Sequence, residues 1–333
     1  MVFEKEVSNK IKGIAALCVM LSHYFNRNEI VPPLCMISDG ALWVGIFFLF
    51  SGFGLERSYQ RKDNYLEGFF RKKIVKIYLP FLLAETVYTL AALYKGEKLS
   101  LIEVILGCSG ILLKNTVLWY VWHILGCYII FAVVKKWVPE KWQCGLWTVL
   151  YIGYLGLCVL LDVGNWWYIS TFPFLMGLWI AGHQEQFEKG IAKRKGLLTI
   201  LFLGLFALLQ LAEYGIWVFP YIPTGFWITG IRLCLSPVLV MWMAMVMNEL
   251  SHKENKSKTA QKRNPVKRTG DVVLSGLGQI SYEIYLWHVT VMYVFGEWIK
   301  IYNPYGKAIV YSCLTIVVAL LFSRLRFGFK RLV

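Results

Sequence analysis

In the apolar run IKGIAALCVMLSHYF (11–25) a cation, Lys12, precedes an imidazole, His23, by eleven positions. At 100° per residue eleven steps make about 1100°, about 20° past three full turns, so on a helix the two side chains share a face about 16 Å apart. A neutral imidazole, with an ordinary pKa of about 6.5, can take a proton from a hydroxyl near pH 7. An ammonium at the far end of the same stripe can hold phosphate. The pair suits an elongated ligand with one anionic and one reactive end. The plainer account is that Lys12 snorkels to the membrane interface and His23 packs against a neighbouring helix. Four other apolar runs hold Glu85, His123, Arg232, and the pair Glu283 and His288. An ionisable group at a bilayer centre costs about 2.5–3.5 kcal/mol on insertion scales, which makes each a functional candidate. His288 shares a helix face with Ser281, and Tyr285 and Trp287 beside it can stack on a sugar ring or fill a core. Glu85 and Arg232, in separate runs, could pair as a structural bridge, and no catalytic role is assigned to them. His183 and His252 fall at the edges of runs and read as ordinary surface residues.

The elements that must position these groups are membrane helices. The 333 residues are 57% hydrophobic and 16% aromatic, with a mean hydropathy of +0.54, outside the usual soluble range. Ten segments approach the length that crosses about 30 Å of hydrocarbon: 10–26, 38–56, 72–94, 116–135, 144–162, 166–182, 195–213, 226–248, 276–297 and 306–326. The expected fold is all-α, a polytopic membrane helix bundle of about ten transmembrane helices in one domain over 1–333. A shorter apolar stretch, 99–113, is expected to lie at the interface or re-enter. The polar, lysine-rich stretch 251–270 reads as a flexible cytoplasmic loop.

A net charge of +15 invites a nucleic-acid reading, but the cations sit where membrane topology puts them. With the amino terminus in the cytoplasm, 27 of the 35 Lys and Arg fall in cytoplasmic segments, six in outer loops and two, Lys76 and Arg232, within helices. By the positive-inside rule both termini are cytoplasmic, in a multi-pass protein of the cell membrane; no nucleic-acid partner is expected. The eight cysteines show no C-x-x-C pair or metal-ligand spacing, so neither a disulfide framework nor a metal site is expected. The first apolar run has a basic flank like that of a signal peptide but lacks a small-residue cleavage site, and it reads as a retained helix.

Four stretches, in order along nearly the whole chain, resemble the acyltransferase-3 family of membrane acyltransferases. KGIAALCVMLSHYF resembles its amino-terminal signature, an Arg eleven positions before a His. GALWVGIFFLFSGFGLERS resembles its second-helix pattern, ending in a Ser51-Gly52-Phe53 turn. FFRKKIVKIYLPFLL places Arg71 and Lys73 in the family's R-x-K spacing, and LGQISYEIYLWHVTVMYVF resembles its Ser-Tyr…Tyr-Leu-x-His helix and places His288. Two departures stand out: Lys12 replaces the Arg, keeping charge but losing the bidentate fork, and Ile124 and Leu125 stand where some members carry an acidic pair, with His123 the nearest polar substitute. No appended extracytoplasmic hydrolase-like domain is expected. The resemblance implies transfer of an acyl group, acetyl by default, from cytoplasmic acyl-coenzyme A to a hydroxyl of a cell-surface or exported glycan. It implies His23 as general base or acyl carrier, His288 or His123 orienting the acceptor or supporting the oxyanion, and Lys12, Arg71 and Lys73 on the donor phosphates. Ser51, Tyr285 and Trp287 are the expected acceptor-binding residues. The alternative is a polytopic transporter or flippase, since buried ionisable groups also line substrate paths, although inverted repeats and paired Gly/Pro-broken helices are not found in the sequence.

Overall fold

The computed structural model describes residues 4–214, 224–257 and 265–329. Among these the chain is helical, without a strand: α1 (Lys5–Arg27), α2 (Cys35–Ser38), α3 (Gly40–Arg61), α4 (Phe69–Lys73), a π-helical turn (Ile74–Tyr78), α5 (Leu79–Tyr94), α6 (Leu101–Cys108), a 3₁₀ turn (Thr116–Leu118), α7 (Trp119–Trp137), α8 (Glu140–Leu160), α9 (Trp166–Ile169), α10 (Phe172–Gly182), α11 (Gln184–Lys193), α12 (Lys195–Glu213), α13 (Thr224–Ser257), α14 (Pro265–Gln279), α15 (Ser281–Phe295) and α16 (Pro304–Phe329).

Among the described residues seven helical stretches are long and apolar enough to cross a membrane: Gly40–Arg61, Phe69–Tyr94, Thr116–Trp137, Glu140–Leu160, Lys195–Glu213, Trp227–Leu250 and Pro304–Arg324. Each corresponds to an expected span, and each of the other three expected spans falls short for a visible reason. Lys10, Lys12, His23 and Asn26 dilute the apolar character of α1. The stretch 166–182 breaks at Ser170–Thr171 between α9 and α10, where Pro173 lacks a backbone donor. The stretch 276–297 is two helices, because Ile280 leaves helical geometry at φ −105°, ψ 13°. The expected loop 251–270 is helical at both ends: 251–257 continue α13 and 265–270 open α14, while 258–264 lie outside the described residues.

Contacts cluster into two compact units, one comprising 1–63 with 141–279, the other 64–140 with 280–333. In the first unit glycines let backbones meet, as small residues do where helices pack in lipid. A Cβ on Gly52 of α3 would strike the Phe174 carbonyl of α10, and one on Gly177 would strike the Leu49 carbonyl in return. Residues 51–53 therefore stay inside the unbroken helix α3, and the expected turn is instead a close helix crossing. Gly13 of α1 and Gly278 of α14 play the same part, and Lys10 seals that seam with ion pairs to Asp271 (2.9 Å) and Glu6 (3.1 Å).

In the second unit α15 packs on α16 and α5, with Trp287 stacked on Phe322 at 3.8 Å. The stretch 99–113 forms α6 and folds back on α5. Ser100 and Glu103 close a capping box at its start, and its far end is tied by Thr86 donating to the Cys108 carbonyl (3.1 Å), Tyr78 to Ser109 (2.9 Å) and Trp122 to Gly110 (2.9 Å). Glu85, wholly buried, accepts from the backbone N–H of Lys114 and Asn115 through Oε1. It does not pair with Arg232, which is held by Asp39 and Glu213 at 2.6 Å each. The two amides both meet Oε1, so Glu85 is held by the backbone ahead of α7 and not by a cation.

Candidate active-site residues

Helix α1 runs without interruption from Lys5 to Arg27, so Lys12 and His23 lie on one rod, about 16 Å apart along its axis. Lys12 is half-buried with Nζ 5.9 Å from the ring of Phe50 on α3, next to Ser51. Two positions away, Lys10 is committed to Asp271. The two lysines thus separate by role: one closes a helix seam and the other stands on the imidazole's face. His23 is half-buried, and Gly40, at the start of α3, comes against it. A methyl group on Gly40 would lie 2.6 Å from Ser22 Oγ and 3.7 Å from His23 Nε2.

The second unit gathers the other candidates. Arg71 is exposed, while Lys73 is half-buried with Nζ over Tyr128 (4.1 Å) and Phe69 (5.1 Å). These cations lead straight into the π-helical turn 74–78. Pro80 accounts for that turn, since its ring has no N–H to give and crowds the carbonyl four residues back. Tyr282 of α15 donates to Ile77 O within the turn (2.7 Å).

His123 sits in the second turn of α7, its ring 5.9 Å from Trp119. His288 is fully buried on α15, Nδ1 2.7 Å from Tyr285 O, and Tyr311 donates to the His288 carbonyl at 3.0 Å. Because a carbonyl only accepts, Nδ1 carries the proton in neutral His288 and Nε2 keeps the lone pair. Adjacent rings link the two histidines: Trp119 to Tyr120 (6.5 Å), Tyr120 to Tyr285 (5.4 Å) and Tyr285 to His288 (5.9 Å). Tyr285 also donates to Val117 O, fixing the chain just ahead of α7.

Tyr285 and Trp287, the expected acceptor-binding aromatics, are 5% and 3% exposed and packed among other rings. Tyr120, Tyr311, Asp39 and Gly40 were not singled out in the sequence. The aromatic density of LWYVW was visible there, but which ring met which helix was not. Among the described residues no group of three or more His, Cys, Asp or Glu is placed to hold a metal ion. The eight cysteines are free thiols.

Seven helices apolar enough to cross a membrane, with His288 buried and His23 and His123 half-buried on helices, and no strand among the described residues, mark a multi-pass membrane protein. The model of an acyltransferase domain, the acyltransferase-3 family, matches residues 9–324. The chain belongs to that family of membrane acyltransferases. No curated protein matches it, and no solved structure does.

Proposed function

We propose that this membrane acyltransferase moves an acyl group, acetyl by default, from cytoplasmic acyl-coenzyme A to a hydroxyl of a cell-surface or exported glycan. The observation that carries this reading is the unbroken α1 with Lys12 and His23 on one face. Coenzyme A has phosphates at one end and a thioester at the other, on a slim arm comparable to that spacing. Lys12 neutralises phosphate at the inner end of the rod, and we assign Arg71 and Lys73 the same kind of charge. Neutral His23 takes the proton of the acceptor hydroxyl; the oxygen attacks the thioester carbonyl, the C–S bond breaks, and the departing thiolate takes up a proton. His288, with its lone pair on Nε2, and His123 are assigned to orienting the acceptor or supporting the oxyanion. The site assigned here uses no metal, and the protein works in the plasma membrane.

Purified protein given acetyl-coenzyme A is expected to bind it, and cells lacking the protein to lose O-acetyl groups from a surface glycan, read by mass spectrometry. His23→Ala should lower the transfer rate about 10²–10⁴-fold, the usual worth of a general base. Unchanged transfer in that variant would end the assignment of His23. Transport of an unmodified solute with no loss of acetyl would favour a transporter instead.

A further inference from the structure

We infer that the Asp39–Arg232–Glu213 ion triad is a positioning device for His23; the inference rests on the proton-accepting role proposed above. Residues 28–39 return the chain from the end of α1 to the start of α3, and its second half, 32–39, is tied to α1, α3, α12 and α13. Asn26 of α1 donates to Ser38 O (2.9 Å), and Trp43 of α3 donates to Met36 O (2.7 Å). From α12, Gln210 donates to Pro33 O (3.0 Å) and accepts from Cys35 N (3.1 Å), while Tyr214, just past that helix, donates to Pro32 O. The last tie is ionic. Asp39, with its side chain 5% exposed, meets Arg232 Nε of α13 at 2.6 Å, and Arg232 Nη2 meets Glu213 Oε1 of α12 at 2.6 Å. Arg232 is therefore hydrogen-bonded to Glu213 through Nη2 and held against Asp39 by charge at Nε, a two-sided contact that a compact lysine ammonium would not reproduce.

The residue after Asp39 is Gly40, whose backbone lies against Ser22 and the Nε2 side of His23. Ser22 is itself turned inward, donating to Val19 O at 2.7 Å. The wall beside the imidazole is thus set by a corner that α12 and α13 hold from outside α1. Of the three charges only Asp39 is closed off from water, so the triad's contribution is to hold one arrangement of the corner, and a reacting group misplaced by about 1 Å can lose about 10²-fold in rate. The triad supplies that constraint without touching the reacting atoms.

The test uses the full chain in detergent, releasing coenzyme A thiol from acetyl-coenzyme A, with surface glycan from cells lacking the protein as acceptor. Arg232→Ala should lower kcat about 10- to 100-fold, while KM for acetyl-coenzyme A stays within about threefold because the phosphate-binding residues are untouched. Asp39→Asn, which keeps the shape but removes the charge that holds Arg232, should lower kcat as well, by less than Arg232→Ala. Glu213→Ala removes one arm of the fork without disturbing the buried Asp39 and should lower kcat in the same way, which serves if Arg232→Ala fails to fold. In a His23→Ala background neither change should lower the residual rate further, since a positioning residue has nothing left to position. A normal kcat in both variants, a loss confined to KM, or an equal further loss without His23 would overturn the inference while leaving the proposed function intact. A wild-type protein that releases no thiol overturns the function, and this inference with it.

Discussion

Lys12 stands where the family pattern has an arginine, and the exchange has a measurable consequence. A guanidinium grips phosphate through two parallel N–H···O bonds, while an ammonium acts as a compact point charge. With Nζ 5.9 Å from the Phe50 ring, Lys12 already has an aromatic face beside it on which a planar guanidinium can stack. Lys12→Arg is therefore expected to lower KM for acetyl-coenzyme A severalfold at unchanged kcat, and Lys12→Ala to raise it, both read from steady-state kinetics. An effect on kcat alone would mean that the cation serves something other than donor binding. At this scale the sequence was informative: residue type and an eleven-step spacing sufficed to single out Lys12 and His23, since helical periodicity needs no knowledge of neighbours. It was silent on Asp39 and Gly40, whose parts depend on Arg232, Glu213 and Gln210 far along the chain.

Helices meet in this protein where side chains vanish, and two glycines on α3 separate packing from propensity. Gly52 has no room for a methyl group because the Phe174 carbonyl occupies its place, whereas Gly54, two residues on, has nothing within 4 Å. Gly52→Ala should force α3 and α10 apart at a cost of about 1–3 kcal/mol; Gly54→Ala should be neutral or slightly stabilising, by the difference in helix propensity. Thermal unfolding in detergent distinguishes the two, and equal melting temperatures would show that the crossing accommodates a methyl group. The Ser51-Gly52-Phe53 sequence could not reveal this, because a glycine that breaks a helix and one that admits a neighbour look alike until the neighbour is known. The same limit explains the single span expected over 276–297, where apolarity ran on through Ile280 while the backbone did not. The run 99–113 was legible as too short to cross, but its anchoring by Tyr78, Thr86 and Trp122 is tertiary and left no trace in local pattern.

For the molecule as a whole, the charge distribution makes the firmest claim about function. Coenzyme A is cytosolic, so the end of α1 that bears Lys12 must face the cytoplasm if the proposed chemistry is to run. The uneven spread of Lys and Arg, read on the ten expected spans, predicts the same orientation. Lys62, after α3, and Lys98, after α5, are both exposed and lie on opposite sides of the membrane in that topology. In a background with the exposed Cys144, Cys234 and Cys313 replaced by Ser, Lys98→Cys should react with an impermeant maleimide on intact cells. Lys62→Cys should react only after the membrane is opened, and reporters fused at either terminus should both read cytoplasmic. The reverse pattern would turn Lys12 outward, away from any coenzyme A, and the cation–imidazole stripe on α1 would then have no donor to hold.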